Sequence, residues 1–176
     1  MKVWYFTPYD LSKNLGLAYN QYMRLIPDED TACFTDGDCC FLTPNFGTII
    51  QQYAEAYPDA VLTCYTNRIH PLSKQLDQGQ MDEQCNIREL ISKAESMKHL
   101  TSVTEILPGE GLSGMLLVVP KKVWMVIPFI ENEGCLGVDT DFRIRLHQKG
   151  IKIFIMDCLL VFHIYRLLTN SKKHLV

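Results

Sequence analysis

TACFTDGDCCFL, residues 31–42, begins as an apolar run suited to a buried strand and then carries two aspartates one residue apart. Aspartate is a poor strand residue and is seldom buried unless it is paired or bound to a cation. Asp36 and Asp38 therefore either cap a surface turn around Gly37 or hold a ligand. A strand over 31–35 would leave both carboxylates just beyond its carboxyl end, where open α/β sheets bind their ligands.

Outward from this stretch the chain alternates between two periods. Residues 2–8 are β-rich and continuous, which predicts a strand buried on both faces. Leu15, Ala18, Tyr22 and Leu25 recur at helical spacing, Pro27 closes that helix, and Asp28, Glu29 and Asp30 form a charged turn. Helices are expected at 46–57, 84–98 and 138–149, and a helical turn from Pro120. Strands are expected at 60–65, 101–107, 115–119, 151–155 and 159–163, whereas 66–84 shows no clean period. The pattern predicts a single α/β domain over 1–176, a three-layer sandwich around a central, mostly parallel or mixed sheet.

Composition narrows the function classes. With 47% hydrophobic and 21% charged residues the chain has the makings of a folded core. A net charge of −3, with no basic run longer than a pair, argues against a nucleic-acid partner. Seven cysteines, an odd number with no CxxC pair, point to a reducing compartment. A zinc site built from Cys33, Cys39 and Cys40 lacks the usual ligand spacing, and the cysteines are expected to be packing residues. The first ten residues are too short for a secretory segment, and the apolar run CLLVFHIYRLL is too short to span and carries His163 and Arg166. A cytoplasmic protein is expected, with peripheral contact at the inner face of a membrane left open.

The order of the motifs resembles the GT-A glycosyltransferases, and most closely the family 2-like members, over most of residues 14–166. CFTDGDCCFL is similar to that fold's DxD segment, and GLSGMLLVVPKKVW to the loop and strand that border the acceptor. LGVDTDFRIRLHQKGIKIFIMD resembles the acidic motif with its helix and following strand, and FHIYR matches a late histidine. NLGLAYNQYMRLI resembles the helix that runs into the DxD strand. Two departures stand out. The nucleotide-binding half is truncated, with Pro8 and Leu15 nearly adjacent, and the acidic motif reads Val138-Asp139 where Glu-Asp is usual.

The resemblance implies a bacterial-type, metal-dependent enzyme that moves a sugar from a nucleotide-sugar donor to a hydroxyl of a glycan or lipid-linked saccharide, with inversion. Asp36, Asp38 and His163 are implied to hold Mn or Mg against the donor diphosphate. Asp139 is implied as the base that deprotonates the acceptor. Tyr5, Thr7, Pro8, Asn14, Asn20, Asp36 and Gly37 fall on the donor side, and Ser113 and Gly114 on the acceptor loop. The loops at 108–113 and 131–137 are implied to close over the sugar and exclude water. The truncated half and Val138 equally suit a non-catalytic domain that binds a nucleotide-sugar or glycan. A nucleotidyltransferase is disfavoured because no glycine-rich, basic phosphate loop follows the first strand. Bland roles remain open too. His163 reads locally as a core histidine, Asp141 as a helix-terminus charge, Arg143 and Arg145 as a solvated face, and Trp124 as packing. Trp4 and Tyr9 suit either packing or sugar stacking, and Asn67 and Arg68 either a turn or an acceptor contact.

Overall fold

The computed structural model describes residues 1–67, 69, 73–76, 86–131, 134 and 136–164. The expectations for Arg68, Cys85, Cys135 and Arg166 lie outside the described residues, as do three positions of the 131–137 loop. The elements are β1 Val3–Phe6, α1 Leu15–Leu25, β2 Thr31–Thr35, β3 Cys39–Phe41, α2 Phe46–Ala56, β4 Val61–Thr66, α3 Ile87–Met97, β5 Val103–Glu105, β6 Leu116–Pro120, α4 Lys121–Val126, α5 Val138–Gln148 and β7 Ile153–His163. The α/β class therefore holds, with a mixed sheet.

The seven strands run β1-β2-β6-β4-β7-β3, with β5 also paired to β7. Among the strands described, β1 with β2 and β4 with β7 pair in parallel, and the other strand pairings are antiparallel. Strands β1, β2, β4 and β7 thus point one way, with β6 running against them between β2 and β4. Of the two sheet types expected, mostly parallel or mixed, the mixed one is found. The antiparallel partners come from segments far apart in the chain, β2 with β6, β3 with β7 and β5 with β7.

Side-chain alternation assigns the two faces. Ala32, Phe34, Val61, Leu117, Val119, Ile153 and Ile155 meet α1, α4 and α5 through Tyr19, Met23, Val123, Phe142 and Leu146. Cys33, Leu62, Cys64, Leu116 and Val118 point the other way and meet Ile50 and Ala54 of α2. Helices therefore cover both faces of the sheet. Burial of these apolar side chains is the main stabilising term, at about 25 cal/mol per Å² removed from water.

Three local expectations change. β1 is an edge strand with Trp4 and Tyr5 exposed, rather than a strand buried on both faces. Residues 151–155 and 159–163 form one strand, β7, because an irregularity after Met156 absorbs three residues between partners Cys64 and Tyr65 of β4. Cys39–Phe41, expected only as packing after the acidic turn, is a strand paired to the end of β7, and Cys40 on it is exposed.

Several polar side chains with open sequence roles are structural. Trp4 donates its indole N–H to Asp30 Oδ2 at 2.8 Å, and the Lys2 N–H donates to Asp30 Oδ1 at 2.7 Å. Asp30 is only 5% exposed. The Trp4 bond, helped by Lys2 and opposed by burial, holds its carboxyl below the usual 3.8. A depressed folded-state value means that the unfolded chain binds the proton more tightly. The stability Asp30 contributes is then complete above its unfolded value and is lost as pH falls through the folded one. Asp30→Asn should lower Tm near neutrality and leave it little changed in strong acid. Parallel Tm–pH curves for variant and wild type would refute this coupling.

Among the described residues no helix is long and apolar enough to cross a membrane.

Candidate functional site

The carboxyl ends of β2, β4 and β7 meet the start of β6 at one edge of the sheet, and a cleft of about 630 Å³ opens there. Asp36, Ser113, Gly114, Asp139 and His163 line it together with Leu15 and Tyr19. Five expected site residues, separated by up to 127 positions, thus share one cavity.

The acidic turn has a defined geometry. Cys39 N–H donates to Asp36 C=O at 3.2 Å, closing a β-turn with Gly37 and Asp38 at its centre. Asp36 N–H donates to Met115 C=O at 3.0 Å, which ties the turn to the loop before β6. β3 then runs back along β7, so that Cys39 pairs with His163. The imidazole Nε2 lies 3.3 Å from Asp38 Oδ1 and 3.9 Å from Asp36 Oδ2. His163 is buried, and its main-chain N–H donates to the Asn67 side-chain oxygen at 2.7 Å. Burial pushes the Asp36 carboxyl above its usual range, the charges of Asp38 and Asp139 add to that shift, and His163 opposes it.

Two carboxylates and an imidazole converging this closely are a chemically suitable donor set for a divalent cation. Asp38, Cys39 and His163 also each offer a ligand atom, and these three atoms lie within 4.8 Å of one another. The donors fit Mn better than Mg, because Mg favours oxygen ligands alone.

Asp139 stands in the first turn of α5, after Gly137, whose positive φ of 87° starts the helix without a side-chain cap. Its Oδ2 accepts from Gly114 N–H at 3.0 Å and its Oδ1 from Thr140 N–H at 2.8 Å. Gly114 is closely packed, since an added Cβ would lie 3.2 Å from the Tyr19 hydroxyl and would need it to shift by a few tenths of an ångström. The carboxylate is held at the cleft wall, facing the acidic turn. Asp141, by contrast, binds Arg145 Nε at 2.6 Å on its own helix, and Arg145 also donates to Pro128 C=O. Asp141 and Arg145 clamp α5 to the chain before it, so Arg145 is not merely solvated.

The remaining donor-side candidates are more scattered. The Thr7 methyl approaches Gly37, at 3.6 Å from an added Cβ, and so adjoins the acidic turn. Pro8 follows it but is not among the cleft-lining residues. Tyr5 turns toward α2, with its hydroxyl 3.4 Å from Gly47 C=O and its ring edge-on to Phe46. Asn14 is the N-cap of α1, accepting from Leu17 N–H at 3.0 Å.

The expectation that Asn20 contacts a donor hydroxyl is corrected. Asn20 is 2% exposed, and its amide is fully engaged. It donates to Phe129 C=O and Glu131 Oε1 and accepts from Trp124 Nε1 and Phe129 N–H. It also fixes Trp124 in the packing role expected of it.

Two buried residues that sequence reasoning passed over shape the site. Gln75, fully buried, accepts from Ser113 N–H at 2.7 Å and donates to Thr63 Oγ1 at 2.6 Å, so it holds the acceptor-side loop on β4. Tyr19 lines the cleft beneath Gly114. Gln75 lay in the stretch without a period and offered no local signal. Tyr19 read only as one more residue of an amphipathic helix.

A scan against family models and a search of curated proteins return no match for this sequence.

Proposed function

We propose that this domain transfers a sugar from a nucleotide-sugar to an acceptor hydroxyl, with Asp36, Asp38 and His163 holding a divalent cation at the donor diphosphate. One observation carries the reading: the acidic turn, the buried imidazole, the Ser113–Gly114 loop and Asp139 open onto the same cleft at the carboxyl ends of the strands. The motif order read from the sequence supports it independently. A cation bound there supplies positive charge against the diphosphate leaving group.

The chain's own groups account for the rest. Asp139 takes the proton of the attacking hydroxyl, its carboxylate aimed by the Gly114 and Thr140 N–H groups. Ser113 and Gly114, held by Gln75, set the wall against which the acceptor lies. Leu15 and Leu136 add apolar side chains to the rim of the cleft beside it.

A second reading has one observation in its favour. Both Asp139 oxygens already accept backbone N–H bonds, as a carboxylate does when it ties a loop to a helix start. A domain that binds a nucleotide-sugar or glycan without turning it over would tolerate that arrangement.

A thermal-shift screen of nucleotide-sugars with and without Mn tests the reading. A donor should raise Tm only when the cation is present, and both a chelator and Asp38→Ala should abolish the shift. Asp38 lies 3.3 Å from His163 Nε2, so its loss removes the donor nearest the imidazole. A shift indifferent to chelator and to Asp38→Ala would eliminate the metal assignment. Binding without transfer or donor hydrolysis across the panel would leave the second reading.

A further inference from the structure

We infer that Cys39 is a ligand at this cation site and that the site selects a thiophilic transition metal of the zinc or cobalt type. The inference rests on the reading that the Asp36–Asp38 turn holds a cation, and it goes further by assigning the metal class and a ligand of a different chemistry.

The backbone brings the thiol into place. Ile164 N–H donates to Asp38 C=O at 3.0 Å, and Leu42 N–H donates to Leu160 C=O at 3.1 Å. Hydrogen-bonded pairs alternate with non-bonded ones along an antiparallel ladder, so Cys39 and His163 form a non-hydrogen-bonded pair. That is the closer of the two pair types, and both side chains leave the sheet on the same face. The β-turn closed by Cys39 N–H and Asp36 C=O then delivers Asp38 from the neighbouring position.

The resulting set is one carboxylate, one thiol and one imidazole, with ligand atoms all within 4.8 Å of one another. A tetrahedral ion with bonds of about 2.0–2.3 Å spaces its ligands by about 3.3–3.8 Å, so closure needs side-chain rotations of about 1 Å. The Asp38–His163 edge is already 3.3 Å. Hard cations such as Mg prefer oxygen alone, whereas sulfur with imidazole favours zinc and its neighbours. Three protein ligands leave a fourth position, the pattern of a catalytic zinc site. Of the three ligands His163 lines the cleft, beside Asp36, so the site adjoins that cavity and a fourth position suits a water or a phosphate oxygen. On binding, the thiol gives up its proton to solvent and the sulfur becomes a thiolate ligand.

Cobalt(II) titration of the whole chain tests the assignment. A thiolate-to-cobalt charge-transfer band should appear, survive Cys40→Ser and vanish in Cys39→Ser. Zinc affinity should fall by about a hundredfold or more in Cys39→Ser, at least the loss that removing an outer-shell partner brings, while Mn affinity changes by less than about threefold. X-ray absorption of the zinc-loaded wild-type chain needs no variant, and should show one sulfur at about 2.3 Å. Cobalt bound without a thiolate band, a band lost only with Cys40, or a zinc shell without sulfur would each overturn the inference. Manganese-dependent nucleotide-sugar binding alongside any of these would leave the functional reading standing. A Cys39-dependent band in a chain that binds no nucleotide-sugar would uphold the inference and end that reading.

Discussion

Asp139→Asn is expected to lower turnover by about 10²–10⁴-fold while leaving metal-dependent donor binding unchanged, the span that a positioned general base contributes. The substitution keeps shape and retains an oxygen that can accept from Gly114 N–H, a bond 3.0 Å long in the structure. The Gly114 contact can therefore stay in place, while the bond from Thr140 N–H and the ability to take a proton are lost. Asp141→Asn is the matched control two residues away. Its carboxylate faces Arg145 rather than the cleft, so it should cost about 0.3–0.5 kcal/mol of stability and no turnover. Transfer that persists in Asp139→Asn would remove this residue as the base. Equal loss in both variants would mean that the start of α5 matters only structurally.

Gly16→Ala should be the most damaging of the conservative substitutions on α1. A Cβ at this position would sit 1.6 Å from Ile130 C=O and 2.7 Å from its carbonyl carbon. No rotamer relieves a clash with backbone, so the helix or the segment at 130 must shift. Such overpacking costs about 3 kcal/mol, against about 1 kcal/mol gained from alanine's better helix propensity. A net loss of about 2 kcal/mol in a domain of this size lowers Tm by roughly 4–8 °C. The same substitution at Gly47 has the opposite sign, because its nearest neighbour would be the Tyr5 hydroxyl at 3.7 Å, an ordinary contact. Gly47→Ala in the first turn of α2 should therefore gain about 0.5 kcal/mol. If both variants melt alike, close approach of α1 to residue 130 does not limit stability. Because α1 carries Tyr19 and Leu15 into the cleft, Gly16→Ala should also weaken ligand binding.

Much of the site could be read locally. An apolar β-prone run that stops at Asp-Gly-Asp announces a strand and a turn, and β2 with its β-turn is what forms. Two carboxylates before an amphipathic segment announce a helix start, and Asp139 and Asp141 occupy the first turn of α5. What could not be read was partnership. β3 is three residues long, shorter than any periodic signal, and exists because β7 lies across from it. Asn20 is a polar residue on a helix and reads as available, yet the segment near Phe129 folds over it and takes up its whole amide. Gln75 gave no signal because its importance comes from Ser113 and Thr63, which lie beside it only in the fold.

The sequence by itself determined the alternation of strands and helices, the acidic turn at the end of β2, and a composition able to form an apolar core. These follow from local propensity and from composition, which each residue carries regardless of its surroundings. The tertiary structure alone decided that Asp36, Gly114, Asp139 and His163 face one cleft, that Cys39 stands beside His163, and that the sheet is mixed. Those outcomes depend on which distant segments pair and in what register. Pairing is set by the burial and hydrogen bonding of the whole chain at once, so no local period records it.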